Sequence, residues 1–397
     1  MHVPPSGRRA SRQSAWTLYL FTAAAVFLVW FSTPTASAQE EPRAVETTAG
    51  DIRLRLSGTF QPRFSYGTTT ETDEGADDQT QRVGFGVRRA RFRFTARFAQ
   101  FGVHYDVDFG SGNLDSVDLY GSWFAAERWR LRMGYLAGPQ PRGYIFTSHT
   151  RIDAIDRAAI AERWSRGTIG SRGRVFGLET RYQTEEITLE LLVHNGEGSF
   201  DRTRANFRES PSGSSVTRRT DQTRLAVATF AAYEPAALPG FEVGGYVGYN
   251  GSRNPNTALD DDLPGRDYLG YSAHVYWGSY AGTQPIRLKA EIIGIRYFER
   301  DGMAMMAPSQ SELGYMAFGA VRVFGFGEVF ARWEQYYDDL DDDPTDFITA
   351  GGSYSFSKRR GLDYRQERIT LAYANQLPGA PASVNQHLVV LQFQFVF

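Results

Sequence analysis

The stretch Val87–Phe98, VRRARFRFTARF, alternates between two kinds of side chain. Side chains that repeat with a period of two residues point to opposite faces of a β-strand. The stretch therefore predicts a strand with one basic face toward water and one apolar face toward a nonpolar environment. The basic face carries Arg89, Arg91, Arg93, Thr95 and Arg97, and the apolar face carries Ala90, Phe92, Phe94, Ala96 and Phe98.

Basic residues interleaved with aromatic residues also occur on nucleic-acid-binding surfaces, but the whole chain is not basic. Its 397 residues contain 43 Lys and Arg against 45 Asp and Glu, a formal net charge of -2. We therefore expect no nucleic-acid partner. Lys289 and Lys358 are the two lysines, so nearly all positive charge is arginine. The chain has no cysteine, which excludes disulfides, thiolate metal sites and cysteine catalysis.

The first 38 residues have the pattern of a secretory signal peptide. A basic region precedes the uncharged run Ala15–Phe31, and Ala36-Ser37-Ala38 forms a small-x-small cleavage pattern. An uncleaved membrane anchor is the alternative, but the uncharged run is slightly short for a transmembrane helix. The predicted organisation is a signal peptide over 1–38, a short N-terminal segment over 39–50 and one exported domain over 51–397.

The same alternation recurs along the exported domain in about sixteen segments. Short connections such as Ala99-Gln100 alternate with long polar ones such as 67–81 and 195–220, which is typical of outer-membrane barrels. In a bilayer every backbone polar group must be paired, and only a closed barrel pairs all strands of a sheet. The pattern therefore predicts an all-β, antiparallel transmembrane barrel. A soluble β-sandwich is the alternative.

The last strand, 387–397, has an apolar face that continues to the terminal Phe397. This ending resembles the C-terminal signal by which the barrel assembly machinery recognises outer-membrane barrels. We therefore expect that machinery, outer-membrane lipids and lipopolysaccharide as partners, in the outer membrane of a Gram-negative bacterium.

Arginines on the water-facing side of the first strands are the candidate pore residues. Clustered on one wall, they would raise the local concentration of anions. The alternative is that they pair with acidic side chains across the wall, so that the charges cancel. The candidate pore-lining residues are Arg53, Arg55, Arg88, Arg89, Arg91, Arg93, Arg130 and Arg132, together with Asp106 and Asp108.

The long connection 138–167 is the second functional candidate. Its part Arg151–Trp164 has the apolar spacing of a helix. Connections of this length usually have a function, and we expect this one to fold into the lumen and narrow it. An ordinary external loop is the alternative. The candidate constriction residues are Arg142, Arg151, Arg157 and Arg163.

Several short motifs together resemble the phosphate-selective porin O and P family. They are VRRARFRF, YDVDF and RMGYLAGPQP, followed by a loop with IDR and ERW and by the terminal Phe. The resemblance implies a sixteen-stranded, usually trimeric, anion-selective channel. It also implies a paired arginine at the pore centre, matched by Arg88 and Arg89, and an acidic residue matched by Asp106 or Asp108. Phosphate-specialised members draw anions through many lysines, whereas this chain has two.

No set of Ser, His and acidic residues has the arrangement of a catalytic site, so we expect no enzyme, cofactor or metal site. Acidic runs at 259–264 and 338–346 have the character of solvated loops. The predicted function is passive diffusion of small anions, phosphate-like or other, through an arginine-lined pore. The alternative function is surface binding or adhesion through the long loops.

Overall fold

The computed structural model describes residues 44–73, 76–110, 112–162, 173–196, 225–251, 268–278, 284–298, 310–337, 343–377 and 384–397. These residues form one antiparallel sheet of seventeen strands. The strands are β1 (Val45–Ala49), β2 (Ile52–Asp73), β3 (Ala76–Phe98), β4 (Phe101–Asp108), β5 (Asp115–Ala126), β6 (Trp129–Leu136), β7 (Val175–Gln183), β8 (Ile187–His194), β9 (Ala226–Tyr233), β10 (Phe241–Asn250), β11 (Tyr268–Trp277), β12 (Ile286–Tyr297), β13 (Gln310–Val323), β14 (Gly327–Tyr337), β15 (Thr345–Ser355), β16 (Glu367–Leu377) and β17 (Val384–Val396).

The sheet closes on itself between its last and its second strand. Each of β2 to β16 pairs with the strand that follows it, and β17 pairs with β2 from Val384↔Glu71 to Val396↔Thr59. Beyond that register, Gly58 and Phe397 exchange backbone hydrogen bonds of 2.7 and 3.1 Å. The sixteen-stranded barrel predicted from the alternation is thus confirmed.

The first strand, β1, pairs with the beginning of β2, next to the point where β17 ends. Gly50, with φ +61°, allows the turn between β1 and β2. Val45–Ala49 then pairs with the beginning of β2, from Val45↔Leu56 to Ala49↔Ile52. The predicted N-terminal segment 39–50 therefore contributes a strand. The predicted signal peptide lies outside the described residues.

The long connection predicted at 67–81 is wrong, because β2 and β3 continue through it as strands of 22 and 23 residues. Their register shifts at Gln61 and Pro62, where Gln61 pairs with Arg89 and Pro62 pairs with Val87. Arg88 is therefore the extra residue of a β-bulge. The bulge accommodates a proline, which lacks a backbone N–H for regular pairing.

The outer face is apolar over the whole circumference, but the lumen face is not polar throughout. Apolar side chains of β12 and β13 point inward and are buried, among them Ile293, Met316 and Phe318. They belong to the same buried cluster as Ile155 and Ile160 of the long connection. This part of the lumen is therefore a packed interior. None of the helical segments in the described ranges reaches the length and apolar character of a membrane-spanning helix.

Candidate functional site

The connection between β6 and β7, which we call the inner loop (described over 137–162 and 173–174), lies inside the barrel. Its Asp153 carboxylate accepts a hydrogen bond of 2.8 Å from Arg287 on β12 and pairs with Lys289. The backbone N–H of Ile160 donates to Glu334 on β14 at 3.3 Å. The expectation that this connection folds into the lumen is therefore confirmed.

Strands β10 to β16 hold the inner loop, and we call them the loop wall. Close packing adds to the polar contacts there. Ile160 lies on Gly314 so closely that a Cβ there would be 2.6 Å from its Cγ2 atom. The backbone N–H of Gly143 donates to the Glu291 carboxylate at 2.8 Å. That carboxylate also accepts from Tyr276 at 2.8 Å. The inner loop is thus held by apolar contacts and by hydrogen bonds together.

The continuous helix predicted over Arg151–Trp164 does not form. Between residues 151 and 162, which are the described part of this stretch, helical structure is confined to 151 and 159–162. Arginine side chains from the loop wall donate hydrogen bonds to backbone carbonyl groups that would accept hydrogen bonds from the backbone in a helix. Arg368 donates to the Ile152 carbonyl at 3.1 Å, and Arg332 donates to the carbonyls of residues 156 and 157 at 2.8 and 3.1 Å.

The opposite side of the lumen, β2 to β8, carries most of the predicted arginines, and we call it the arginine wall. Many of them form ion pairs with neighbouring strands, as the alternative prediction allowed. Arg91 pairs with Asp108 at 2.7 Å and Arg93 pairs with Asp106 at 3.1 Å. Positive charge nevertheless exceeds negative charge where the wall faces open space.

Two cavities lie between the arginine wall and the inner loop. The larger has a volume of about 450 Å³, and its described lining contains seven arginines and one carboxylate, Asp106. The smaller has a volume of about 250 Å³ and a described lining with six arginines against Asp118 and Glu190. The arginines of the larger cavity are Arg55, Arg91, Arg93, Arg97, Arg130, Arg151 and Arg365, and those of the smaller are Arg91, Arg93, Arg132, Arg157, Arg174 and Arg181.

The two cavities share part of their lining, so they adjoin at one place. Arg91 and Arg93 line both from the wall, and Ser148 and His149 line both from the inner loop. The His149 ring fixes the loop here, with Nε2 3.0 Å from the Thr59 hydroxyl and Nδ1 3.4 Å from Arg91. This is the candidate constriction of a path along the arginine wall.

The paired arginine Arg88-Arg89 lies against the inner loop. The bulge turns Arg88 toward Asp156, at 2.9 Å, and toward Glu162, at 3.4 Å. Arg89 is 3% exposed and donates to the Gln61 side chain at 3.1 Å. Neither belongs to the described lining of the two cavities. Their assignment to the pore centre stays a prediction.

The remaining candidates belong to the arginine wall or to the inner loop. Arg55 pairs with Glu46 at 3.5 Å, Arg132 pairs with Glu179, and Arg130 lies 4.0 Å from the same Glu179. Arg53 is exposed on β2. The inner-loop candidates are spread out in the same way. Arg151 and Arg157 each line one cavity, Arg142 is buried on the loop wall against Glu242, and Arg163 lies outside the described residues.

Some residues that line the cavities were not singled out from the sequence. Arg174 precedes β7 and bonds to Asp118 at 2.9 Å. Arg181 pairs with Glu190 at 3.1 Å. The alternation of β7 could have identified Arg181, since it shares a face with Glu179. Nothing in the local pattern pointed to Arg174, because it lies outside the strand and is placed by the inner loop.

Three potential metal ligands approach one another on the arginine wall. Ligand atoms of His104, Asp106 and Asp118 lie within 4.8 Å of one another. The two carboxylates already accept hydrogen bonds from Arg93, at 3.1 Å, and from Arg174, at 2.9 Å. Guanidinium groups therefore provide the positive charge at this point of the wall.

The charges of the inner loop depend on the arginines around it. Burial alone would raise the pKa of Asp156, but Arg63 and Arg88 outweigh it and bring the pKa to about 2. Burial, together with the charges of Arg91 and Arg89, holds the pKa of His149 well below its usual range. At neutral pH the loop thus presents an ionised Asp156 and a neutral His149.

Comparison with protein-family models finds no match, and comparison of the sequence with curated proteins finds none either. Solved structures of similar fold are found. The chain has the porin fold. The anion-selective porin from Comamonas acidovorans is 12% identical, covers 87% of this chain and 100% of its own length, and has a TM-score of 0.59. The outer membrane channel DcaP of Acinetobacter baumannii is 12% identical, with coverages of 88% and 99% and a TM-score of 0.57. OmpF of Salmonella typhi is 13% identical, with coverages of 88% and 100% and a TM-score of 0.56.

Proposed function

We propose that the chain forms a passive pore for small anions and that the path runs between the inner loop and the arginine wall. The observation that carries the proposal is the excess of arginines over carboxylates around the two adjoining cavities. Fixed positive charge along a narrow aqueous path attracts anions and repels cations. Arginine keeps its charge at every physiological pH.

The charge excess supports the pore over the alternative, a barrel that acts through its external loops. A lumen filled by the inner loop would favour surface binding or adhesion. The cavities beside the loop, of about 450 and 250 Å³, instead support a path for solutes. The similarity in fold to the anion-selective porin from Comamonas acidovorans supports the same choice.

Phosphate is one candidate among the small anions, and the resemblance to the phosphate-selective family supports it. The two lysines of the chain do not add positive charge to the proposed path. Lys289 is paired with Asp153 on the loop wall. Lys358 lies in the short helical turn Phe356–Arg359 between β15 and β16. Phosphate would therefore be drawn by arginines, whose planar groups bind its oxygens in pairs.

We further propose that the protein is exported by its signal peptide and works as a homotrimer in the outer membrane of a Gram-negative bacterium. Lipopolysaccharide would surround the long loops, and the barrel assembly machinery would recognise the end of β17. The apolar outer face supports a membrane location.

A trimer form of OmpT of Vibrio cholerae is among the solved structures of similar fold, at 8% identity and a TM-score of 0.51. Described residues 79–87 of β3 pair with β2 alone, which leaves a strand edge for a neighbouring copy.

The reversal potential of the purified protein in a planar bilayer under a KCl gradient tests the pore. We expect an anion-selective potential that becomes markedly weaker in the double variant Arg91→Gln, Arg93→Gln, because these two arginines line both cavities and are the partners of Asp108 and Asp106. The variant Arg93→Gln, Asp106→Asn keeps the net charge and should change the potential far less. The variant Arg88→Ala, Arg89→Ala should have an intermediate effect through the inner loop.

Absence of conductance in the folded protein would contradict the proposal. Cation selectivity that does not respond to Arg91 and Arg93 would contradict it as well. Either result would direct the search for a function to the external loops. Migration of heated and unheated samples in gel electrophoresis shows whether each variant has formed a barrel.

A further inference from the structure

The larger cavity is wide enough for a small organic molecule, and aromatic rings line it together with arginines. Its volume of about 450 Å³ lies in the range of small-molecule sites, roughly 300–1,000 Å³. Besides arginines, its lining includes the rings of His104, Tyr120 and Phe124. It lies toward the short connections of the barrel, since Arg97 and Phe124 adjoin the turns after β3 and β5.

One arginine of this cavity is held by an aromatic ring. The Arg97 guanidinium lies 4.2 Å from the centroid of the Phe124 ring, and among the described residues it has no ion-pair partner. Stacking on a ring fixes the plane of a guanidinium and leaves its N–H edges available. Those edges match the two oxygens of a carboxylate.

A second aromatic group continues this surface along β5. Tyr120 and Phe124 lie on the same face of the strand, with Ser122 between them. The rings of His104 and Tyr120 are stacked at 4.7 Å and 14°. Arg132 covers Tyr120 at 5.0 Å. His104 and Tyr120 line both cavities, whereas Arg97 and Phe124 belong to the described lining of the larger cavity and distinguish it from the smaller one.

We propose that this cavity is a binding subsite for organic anions that join a carboxylate to a flat apolar body, as aryl carboxylates do. The inference rests on the proposed anion pore. The carboxylate would bind the edge of Arg97, and the flat body would lie against the rings at Phe124 and Tyr120. Acetate would have the charge without the body, and phosphate would leave the rings in contact with water.

Block of the chloride current in planar bilayers tests the subsite, with benzoate, acetate and inorganic phosphate as the probes. Each probe is titrated from the short-connection side, in KCl at constant ionic strength. We expect benzoate to block half of the current at a concentration roughly three- to tenfold lower than acetate does, since ring contacts contribute about that factor.

Variants identify the ring and the charge separately. Phe124→Leu should remove most of the advantage of benzoate over acetate, whereas Phe124→Tyr, which keeps the ring, should retain it. Arg97→Gln should weaken block by both carboxylates. The matched control is Phe347→Leu, which removes a partly buried ring of β15 on the opposite wall and should leave the ratio of benzoate to acetate unchanged.

The outcomes separate this inference from the proposed function. An anion-selective reversal potential in KCl together with equal block by benzoate and acetate overturns the subsite and leaves the pore intact. A benzoate advantage that persists in Phe124→Leu and in Tyr120→Leu also overturns it. Cation selectivity in KCl overturns the pore itself. A benzoate advantage that depends on the ring at 124 supports the subsite.

Discussion

The arginine wall and the loop wall are built from similar strands, and both carry many charges in the lumen. Their charges differ in their main partners, although Arg63 and Arg88 of the arginine wall also pair with Asp156 of the inner loop. On the arginine wall, Arg91 and Arg93 pair with Asp108 and Asp106 of the next strand, so these charges belong to the sheet. On the loop wall, Arg287 pairs with Asp153, which comes from the inner loop 134 residues earlier in the chain.

Charged side chains therefore have two roles in the lumen, one along the proposed path and one in positioning the inner loop. Pairs within the arginine wall leave an excess of positive charge at the surface of the path. Pairs between the loop wall and the inner loop, such as those of Asp153 with Arg287 and Lys289, help to hold the loop in place. The proposed path runs along the wall whose charges are mostly paired within the sheet. Three predictions test this division, from the largest expected effect to the smallest.

The strongest test removes the charge that fixes the inner loop. Asp153→Ala leaves Arg287 and Lys289, whose side chains are 1% and 4% exposed, without this carboxylate. Removing one member of a buried ion pair costs about 3–5 kcal/mol. We expect a lower thermal unfolding midpoint and a larger, more variable single-channel conductance, because the inner loop leaves the loop wall.

Asp343→Ala is the control, since this acidic residue is exposed next to β15. It should change neither the unfolding midpoint nor the conductance. Wild-type conductance in Asp153→Ala would mean that apolar packing alone positions the inner loop, and the role given to the charges of the loop wall would be wrong.

The second test changes only the packing. Gly314→Val places a side chain where Ile160 now lies, at a Cβ distance of 2.6 Å. Overpacking of this kind costs about 1–3 kcal/mol. We expect a moderate rise in single-channel conductance with anion selectivity retained, because the arginine wall is untouched.

Gly319→Val on the same strand is the matched control. A Cβ there meets only Leu288, at 3.7 Å, on the outer face. If both valine variants change the conductance equally, strand β13 responds to valine in general, and contact with the inner loop is not the cause.

The barrel could be predicted from the sequence because strand alternation and turn spacing are local. The register of β2 and β3 at Arg88 could not, since the bulge depends on the pairing of both strands. The pattern of charges also could not show which arginines face open space. Arg89 and Arg91 share a strand face, yet Arg89 is buried and Arg91 lines both cavities.

The side of the lumen that holds the inner loop did leave a signal. The segments EIIGIRY (291–297) and LGYMAFGAV (313–321) lose the alternation of polar and apolar residues. A strand whose two faces are both covered by apolar material reads as a continuous apolar run. The outer face of these strands exposes apolar side chains such as Leu288 and Val321, and Ile155 and Ile160 belong to the buried cluster on the other face. Loss of alternation thus marks the loop wall.

The smallest expected effect concerns protons at the candidate constriction. Burial and the charges of Arg91 and Arg89 hold the pKa of His149 well below its usual range, so the folded protein keeps this ring neutral. The unfolded chain takes up a proton below a pH of about 6.5. Stability from the neutral ring is therefore complete above that pH, and it falls by about 1.4 kcal/mol per pH unit below it.

We expect the thermal unfolding midpoint of the wild type to fall from pH 7 to pH 5.5, and that of His149→Gln to fall less. Glutamine can still bond to the Thr59 hydroxyl, which lies 3.0 Å from Nε2 in the wild type. His387→Gln, on β17 beside Tyr373, should behave like the wild type. Parallel curves for wild type and His149→Gln would mean that the constriction opens to water, because an accessible ring would take up its proton in the folded state as well.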